Sequence, residues 1–134
     1  MKGRSRRQTH AERVLAHLRH RQRPLSAYQI LDGLRGDGVA AVTTVYRALS
    51  KLLVAGQVHR IESLNAWTLC RDPSHAATPV FEICRDCGAV TEHLDPHLSC
   101  DIAKLSDRTG FAPERSVIEI HGRCGDCRPN LRAV

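Results

Sequence analysis

Two pairs of cysteines, Cys84-Arg85-Asp86-Cys87 and Cys124-Gly125-Asp126-Cys127, limit what this chain can become more than any other feature. A CxxC knuckle turns tightly enough to aim two sulfurs at one point, and two knuckles complete a tetrahedron. The spacing predicts a four-thiolate zinc site that staples the segment between the knuckles into one unit. Four thiolates leave the ion no open position, so its role is structural. The alternative is a pair of redox dithiols or unpaired core cysteines. A thioredoxin-like motif, however, needs a βαβ setting that the surrounding pattern does not offer.

Composition bears on this in two ways. Hydrophobic residues make up 42% of the 134 and aromatic residues only 4%, so any core is aliphatic and modest. Small units of that kind commonly need a staple. No apolar run approaches the ~18 residues of a membrane span. The start, Met1-Lys2-Gly3-Arg4-Ser5-Arg6-Arg7, is basic but no apolar stretch follows it, so no secretory signal is expected. These features point to a cytoplasmic protein with no membrane partner, where reduced thiols favour metal over disulfide.

Charge divides the chain. Residues 1–60 hold 12 Lys and Arg against 3 Asp and Glu, a balance of +9. Residues 61–134 hold 8 against 11, a balance of −3. A basic half joined to a mildly acidic one suggests a nucleic-acid-facing domain and a second domain with another task; the competing reading is a solvated basic surface.

The first half reads as helical. Ala11, Val14, Leu15 and Leu18 recur at helix spacing after Thr9, and Pro24 ends the run. Ser26 caps a second helix whose inward residues are Ala27, Ile30, Leu31 and Leu34, stopped by Gly36-Asp37-Gly38. A third helix is predicted over 43–55, with Val45, Ala48, Leu49, Leu52 and Leu53 inward. Thr44, Arg47 and Lys51 point outward, with Tyr46 beside them. Residues 58–62 and 66–70 then form a hairpin around Ser63-Leu64-Asn65.

Three short helices and a hairpin make a winged helix-turn-helix. Arg47, Lys51 and Tyr46 are the candidates for its major-groove face. Residues 72–79 read as a hinge. From 80 the pattern is β-β-α-β, with strands over 80–83, 89–94 and 116–121, and a helix from Pro96 to about Thr109 striped by Leu98, Ile102 and Leu105. Cys100 on that helix is expected to be a buried small hydrophobe. The whole is an α+β chain: a DNA-binding domain over 1–71, the hinge, and a zinc-stapled domain over 80–134.

Other donors could form a second site. His59 and Cys70 lie on opposing strands of the hairpin, His75 five residues on, and Glu92 just after the first knuckle. A thiolate, two imidazoles and a carboxylate suit tetrahedral zinc, although spacing alone does not bring them together.

Together these motifs carry a resemblance. Thr43-Thr44-Val45-Tyr46-Arg47-Ala48-Leu49, the run His59-Arg60-Ile61-Glu62-Ser63, Cys84-Arg85-Asp86-Cys87-Gly88 and the closing cysteine pair resemble the ferric uptake regulator superfamily. Trp67-Thr68-Leu69-Cys70, Pro73-Ser74-His75 and Val117-Ile118-Glu119-Ile120-His121-Gly122 are similar to its zinc uptake regulator branch. The likeness covers nearly the whole chain from about Thr9, so the family's extra N-terminal helix is not expected. It implies a homodimeric, zinc-responsive repressor of zinc uptake genes that binds operator DNA and holds two zinc ions per chain.

By the resemblance, Cys84, Cys87, Cys124 and Cys127 are structural ligands, and His59, Cys70, His75 and Glu92 are regulatory ones. Tyr46 and Arg47 match recognition-helix positions, and Tyr28 matches a tyrosine opening the second helix. A regulatory ion bound by all four donors would set the angle between the two halves. The iron and peroxide sensors of the superfamily remain the alternative, but their histidine-rich stretch before the first knuckle shrinks here to His75. An enzyme, or a chain with a small-molecule substrate, is not expected. A zinc deaminase, for example, needs a proline before its CxxC, and none precedes Cys84 or Cys124.

Overall fold

A computed structural model describes residues 7–72, 74 and 76–128 of the chain. They fall into two units, one within residues 1–75 and one within 76–134.

In the first unit, local hydrogen bonding fixes where the helices begin. Helix α1 (His10–Arg21) opens on a reciprocal cap. Thr9 Oγ1 accepts from the Glu12 amide at 3.1 Å, and Glu12 Oε2 accepts from the Thr9 amide at 3.0 Å. It ends at Gln22, which turns into the left-handed region two residues before Pro24. Helix α2 (Ala27–Leu34) opens the same way, through Ser26 and Gln29.

Where α2 approaches α1, the position is Gly33. A Cβ there would lie 2.3 Å from the His17 ring, so a side chain could fit only if that imidazole moved. Arg13 of α1 donates to the Asp37 carbonyl in the turn that follows α2. Helix α3 (Val42–Val54) buries Val45, Ala48, Leu49 and Leu52, and Gly56 beyond it takes a positive φ.

Strands β2 (Val58–Ile61) and β3 (Ala66–Leu69) then pair antiparallel, with Asn65 in the left-handed region of the turn. A two-residue strand, β1 (Leu25–Ser26), adds to β3 through Leu25 opposite Trp67, giving the order β1-β3-β2. The sequence offered no sign of β1, because two residues cannot display a period. Val14, Leu18, Leu25, Ile30, Leu34, Val45, Leu49 and Trp67 belong to one core. Each fully buried aliphatic there contributes about 1.5–3 kcal/mol.

The second unit centres on β4 (Pro79–Cys84). It pairs antiparallel with β5 (Val90–Leu94) and parallel with β6 (Ile118–Gly122), so the sheet order is β5-β4-β6. The parallel pair needs a crossover, and α4 (Pro96–Thr109) lies within it. Asp95 caps α4 by accepting from the His97 and Leu98 amides at 2.8 and 3.2 Å, Pro96 takes the first turn, and Gly110 closes it at φ 71°.

Val80, Phe81 and Ile83 are buried, but no residue of α4 is. Cys100 is exposed, against the expectation that it packs inside. Helical geometry explains this: at 100° per residue, Cys100 sits nearly opposite Leu98 and Ile102 and faces outward with Asp101 and Lys104. Among the described residues, no helix is long and apolar enough to cross a membrane.

Candidate metal centre and nucleic-acid interface

The cysteine knuckles meet because β4 and β6 run the same way. Their register sets Cys84 opposite Gly122, so the first knuckle leaves β4 where the second approaches from β6. The Arg85 amide donates to the Gly122 carbonyl at 2.9 Å and fixes that junction. Gly88, at φ 76°, lets the first knuckle turn back into β5, and its amide donates to the Cys84 carbonyl at 3.0 Å. The second knuckle closes through the Cys127 amide and the Cys124 carbonyl at 3.1 Å. Arg123 pairs with Asp86 across the two turns at 3.1 Å.

All four Sγ atoms lie within 4.8 Å of one another, and Cys87 and Cys124 are 3.8 Å apart. Zinc–sulfur bonds of ~2.3 Å define a tetrahedron with edges of about 3.8 Å. The four thiols therefore fit zinc. Cys84 is buried, Cys124 and Cys127 are half-buried, and Cys87 is exposed.

The sulfurs do not ionise alike. Backbone N–H groups of Cys87 and Cys124 point at the Cys84 sulfur and bring its pKa down to about 6, despite its burial. The Ala89 amide pulls Cys87 down, but the Cys84 and Cys124 sulfurs outweigh it and the net shift is upward. Cys127, beside Cys124, Cys84 and Cys87, is pushed up to about 12. Without a cation, the cluster stabilises one thiolate readily and resists a complete set. A dication reverses that preference.

The second predicted set is divided differently. His59 opposes Thr68 in the hairpin, and the Cys70 amide donates to the Gln57 carbonyl at 3.0 Å. His59 and Cys70 therefore project from one face of the hairpin at diagonal positions. Both are half-buried, and the Cys70 thiol also donates to the Asp72 carbonyl at 3.5 Å. His75 lies outside the described residues. Glu92 is half-buried in the other unit, opposite Phe81 in β5. Two further histidines of that unit have carboxylate neighbours: His93 meets Glu82, and His121 lies 3.4 Å from Glu119.

On the basic half, Arg47 and Lys51 are exposed on α3, one turn apart. Thr44 is half-buried one turn before Arg47. Tyr28, near the start of α2, is 63% exposed. Tyr46 is less free than the helical pattern suggested. It is half-buried, and its ring meets Trp67 edge-on with centroids 5.7 Å apart. The sequence reading assigned no role to Trp67 itself or to Arg60, whose guanidinium lies 5.3 Å from the Trp67 ring centroid. A tryptophan and an arginine seven residues apart carry no local signal; only hairpin register makes them neighbours.

No family model matches the chain. Individual relatives do. The zinc uptake regulation protein of Escherichia coli (strain K12) is 42% identical over 107 residues, covering 77% of this chain and 61% of that protein. This chain thus spans about three-fifths of that relative's length. The zinc uptake regulation protein of Mycobacterium tuberculosis (strain ATCC 25618 / H37Rv) is 32% identical over 104 residues, covering 77% of this chain and 79% of that protein. A solved structure of a zinc uptake regulator complexed with zinc and DNA superposes with a TM-score of 0.74 at 37% identity, covering 90% of this chain and 82% of that one.

Proposed function

Since the chain belongs to the ferric uptake regulator superfamily, in its zinc uptake regulator branch, we propose that it is a zinc-responsive transcriptional repressor. It binds operator DNA as a homodimer when its regulatory site is filled, and so controls zinc uptake genes. The observation that carries this reading is the likeness to a regulator held with both zinc and DNA.

In this proposal residues 1–71 are a winged helix-turn-helix, 72–79 a hinge and 80–134 the dimerisation domain. The order α1-α2-α3 followed by the β2–β3 hairpin supports the first assignment. Arg47 and Lys51, with Thr44, Tyr46 and Tyr28 nearby, form the DNA-facing set. Arg47 offers the fork that suits guanine, and Lys51 a phosphate contact. Leu94, Leu105, Phe111 and Ile120 stand exposed on the second unit and support a paired state in which a second copy covers them.

Two zinc sites per chain belong to the proposal. Cys84, Cys87, Cys124 and Cys127 hold the structural ion, and the sulfur separations support that assignment. His59, Cys70, His75 and Glu92 hold the regulatory ion. The shared hairpin face of His59 and Cys70 supports the first half of that set, and a thiolate among the donors favours zinc over iron. When bound, the ion supplies a dication that these donors can share. Ligation and operator affinity are then linked, each raising the other by the same factor.

Zinc counting under mild chelation, followed by operator gel shift, tests the reading. The expected result is one tightly held and one exchangeable zinc per chain, with operator binding tracking the exchangeable one. Cys70→Ser keeps the tight class, the fold and the dimer, and loses zinc-dependent operator binding. Unchanged zinc dependence in that variant would remove the regulatory assignment.

A further inference from the structure

Trp67 joins two parts of the first unit that the proposed regulation must connect. It is 4% exposed and sits opposite Arg60 in the β2–β3 register. Tyr46 of α3 meets its ring edge-on, with planes at 71°. The Arg60 guanidinium lies 5.3 Å from the same ring, within cation–π range.

Arg60 has little freedom to leave. One terminal nitrogen donates to Asn65 Oδ1 at 2.8 Å, and the other pairs with Glu62 at 3.3 Å. Its side chain is 38% exposed, and its Nε is buried. Glu62, Asn65 and the indole fix the guanidinium where it is, turned toward the protein.

Strand alternation completes the geometry. Neighbouring residues on a strand point to opposite faces. His59 and Cys70 therefore share one face of the hairpin, while Arg60 and Trp67 share the other. The same two strands carry proposed zinc donors on one side and the contact to α3 on the other.

We propose that Trp67 and Arg60 are positioning residues that couple ligation at His59 and Cys70 to the placement of Tyr46 on α3. This rests on the regulatory site proposed above. Tyr46 belongs to the proposed DNA-facing set, and it is half-buried with its ring against the indole. A close-packed contact passes on small changes in the hairpin instead of absorbing them. Arg60 lies against the same indole, so the ring has both a strand neighbour and a helix neighbour.

The test uses the full chain with its tightly held zinc. Trp67 is the single tryptophan of the 134 residues, so tryptophan emission reports the surroundings of this one indole. Emission should change as zinc fills the exchangeable site, with the same midpoint as operator binding.

Arg60→Lys keeps the charge but cannot stack, bond Asn65 and pair with Glu62 together. Trp67→Phe keeps a ring but shortens its reach. Each should retain both zinc classes and zinc-free operator affinity. The zinc-dependent gain in operator affinity should fall roughly three- to thirty-fold, the range one cation–π contact spans. An unchanged gain in both variants overturns the proposal, as does equal loss of zinc-free and zinc-loaded affinity, which is the mark of a merely structural role. Constant wild-type emission through the titration also counts against it. A wild-type protein whose operator binding ignores zinc would instead overturn the regulatory reading on which the proposal stands.

Discussion

Cys127 and Cys84 show how one cluster assigns different chemistry to identical side chains. With its thiol pushed up to about 12, Cys127 is protonated at neutral pH in the zinc-free state and must shed that proton to ligate. Cys84, brought down to about 6, is already a thiolate there. Zinc loading therefore releases protons, affinity rises with pH, and retention weakens further as pH falls through about 6, where Cys84 also reprotonates. Calorimetry in buffers of different ionisation enthalpy should detect the release, and zinc affinity independent of pH would contradict it. Cys84→Ser should lose the tight zinc and, with it, folding or the proposed dimer. Cys100→Ser, on an exposed residue remote from the cluster in sequence, should leave both intact. The cysteine knuckles were legible from sequence because a CxxC is a local geometric object. The exposure of Cys100 was legible too, since 100° per residue sets it opposite Leu98 and Ile102; the expectation of a packed cysteine followed residue type instead of helical phase.

Caps and strand register decide most of what happens at the next scale. The starts of α1 and α2 could be read directly, since Thr9 with Glu12 and Ser26 with Gln29 satisfy each other's backbone groups within one turn. Ser26→Ala should therefore cost about 1 kcal/mol. That loss should lower the melting transition of the first unit by roughly 4–8 °C. Far-UV thermal melts would show it, and an unshifted melt would mean that core packing alone sets the start of α2. Strand β1 lay beyond sequence reading because its identity depends on Trp67, some forty residues away, supplying a partner. The same holds for the Arg60–Trp67–Tyr46 contact, which exists only once β2 and β3 adopt their register.

For the molecule as a whole, charge and exposed apolar surface lead to two further expectations. The basic balance lies in residues 1–60, so operator affinity should fall steeply with salt, by about a thousandfold or more between 50 and 200 mM if six or more phosphates are neutralised. A flat salt response in gel shifts would argue against the basic half as the DNA surface. Ile120 is 50% exposed on an edge strand of the second sheet, where an added charge disturbs little within one chain. Ile120→Glu should yield a folded monomer by size exclusion that keeps its tight zinc; an unaltered dimer would place the pairing face elsewhere. The sequence by itself determined the helix starts, the knuckles, the division of charge and the family, because each is written in neighbouring residues or in totals. Only the tertiary structure decided that Cys84 and Cys124 approach one another, that His59 and Cys70 share a face, and that Trp67 meets both Tyr46 and Arg60. Those facts depend on the parallel pairing of β4 with β6 and on the hairpin register, and long-range pairing is set by which backbones find one another as the chain folds.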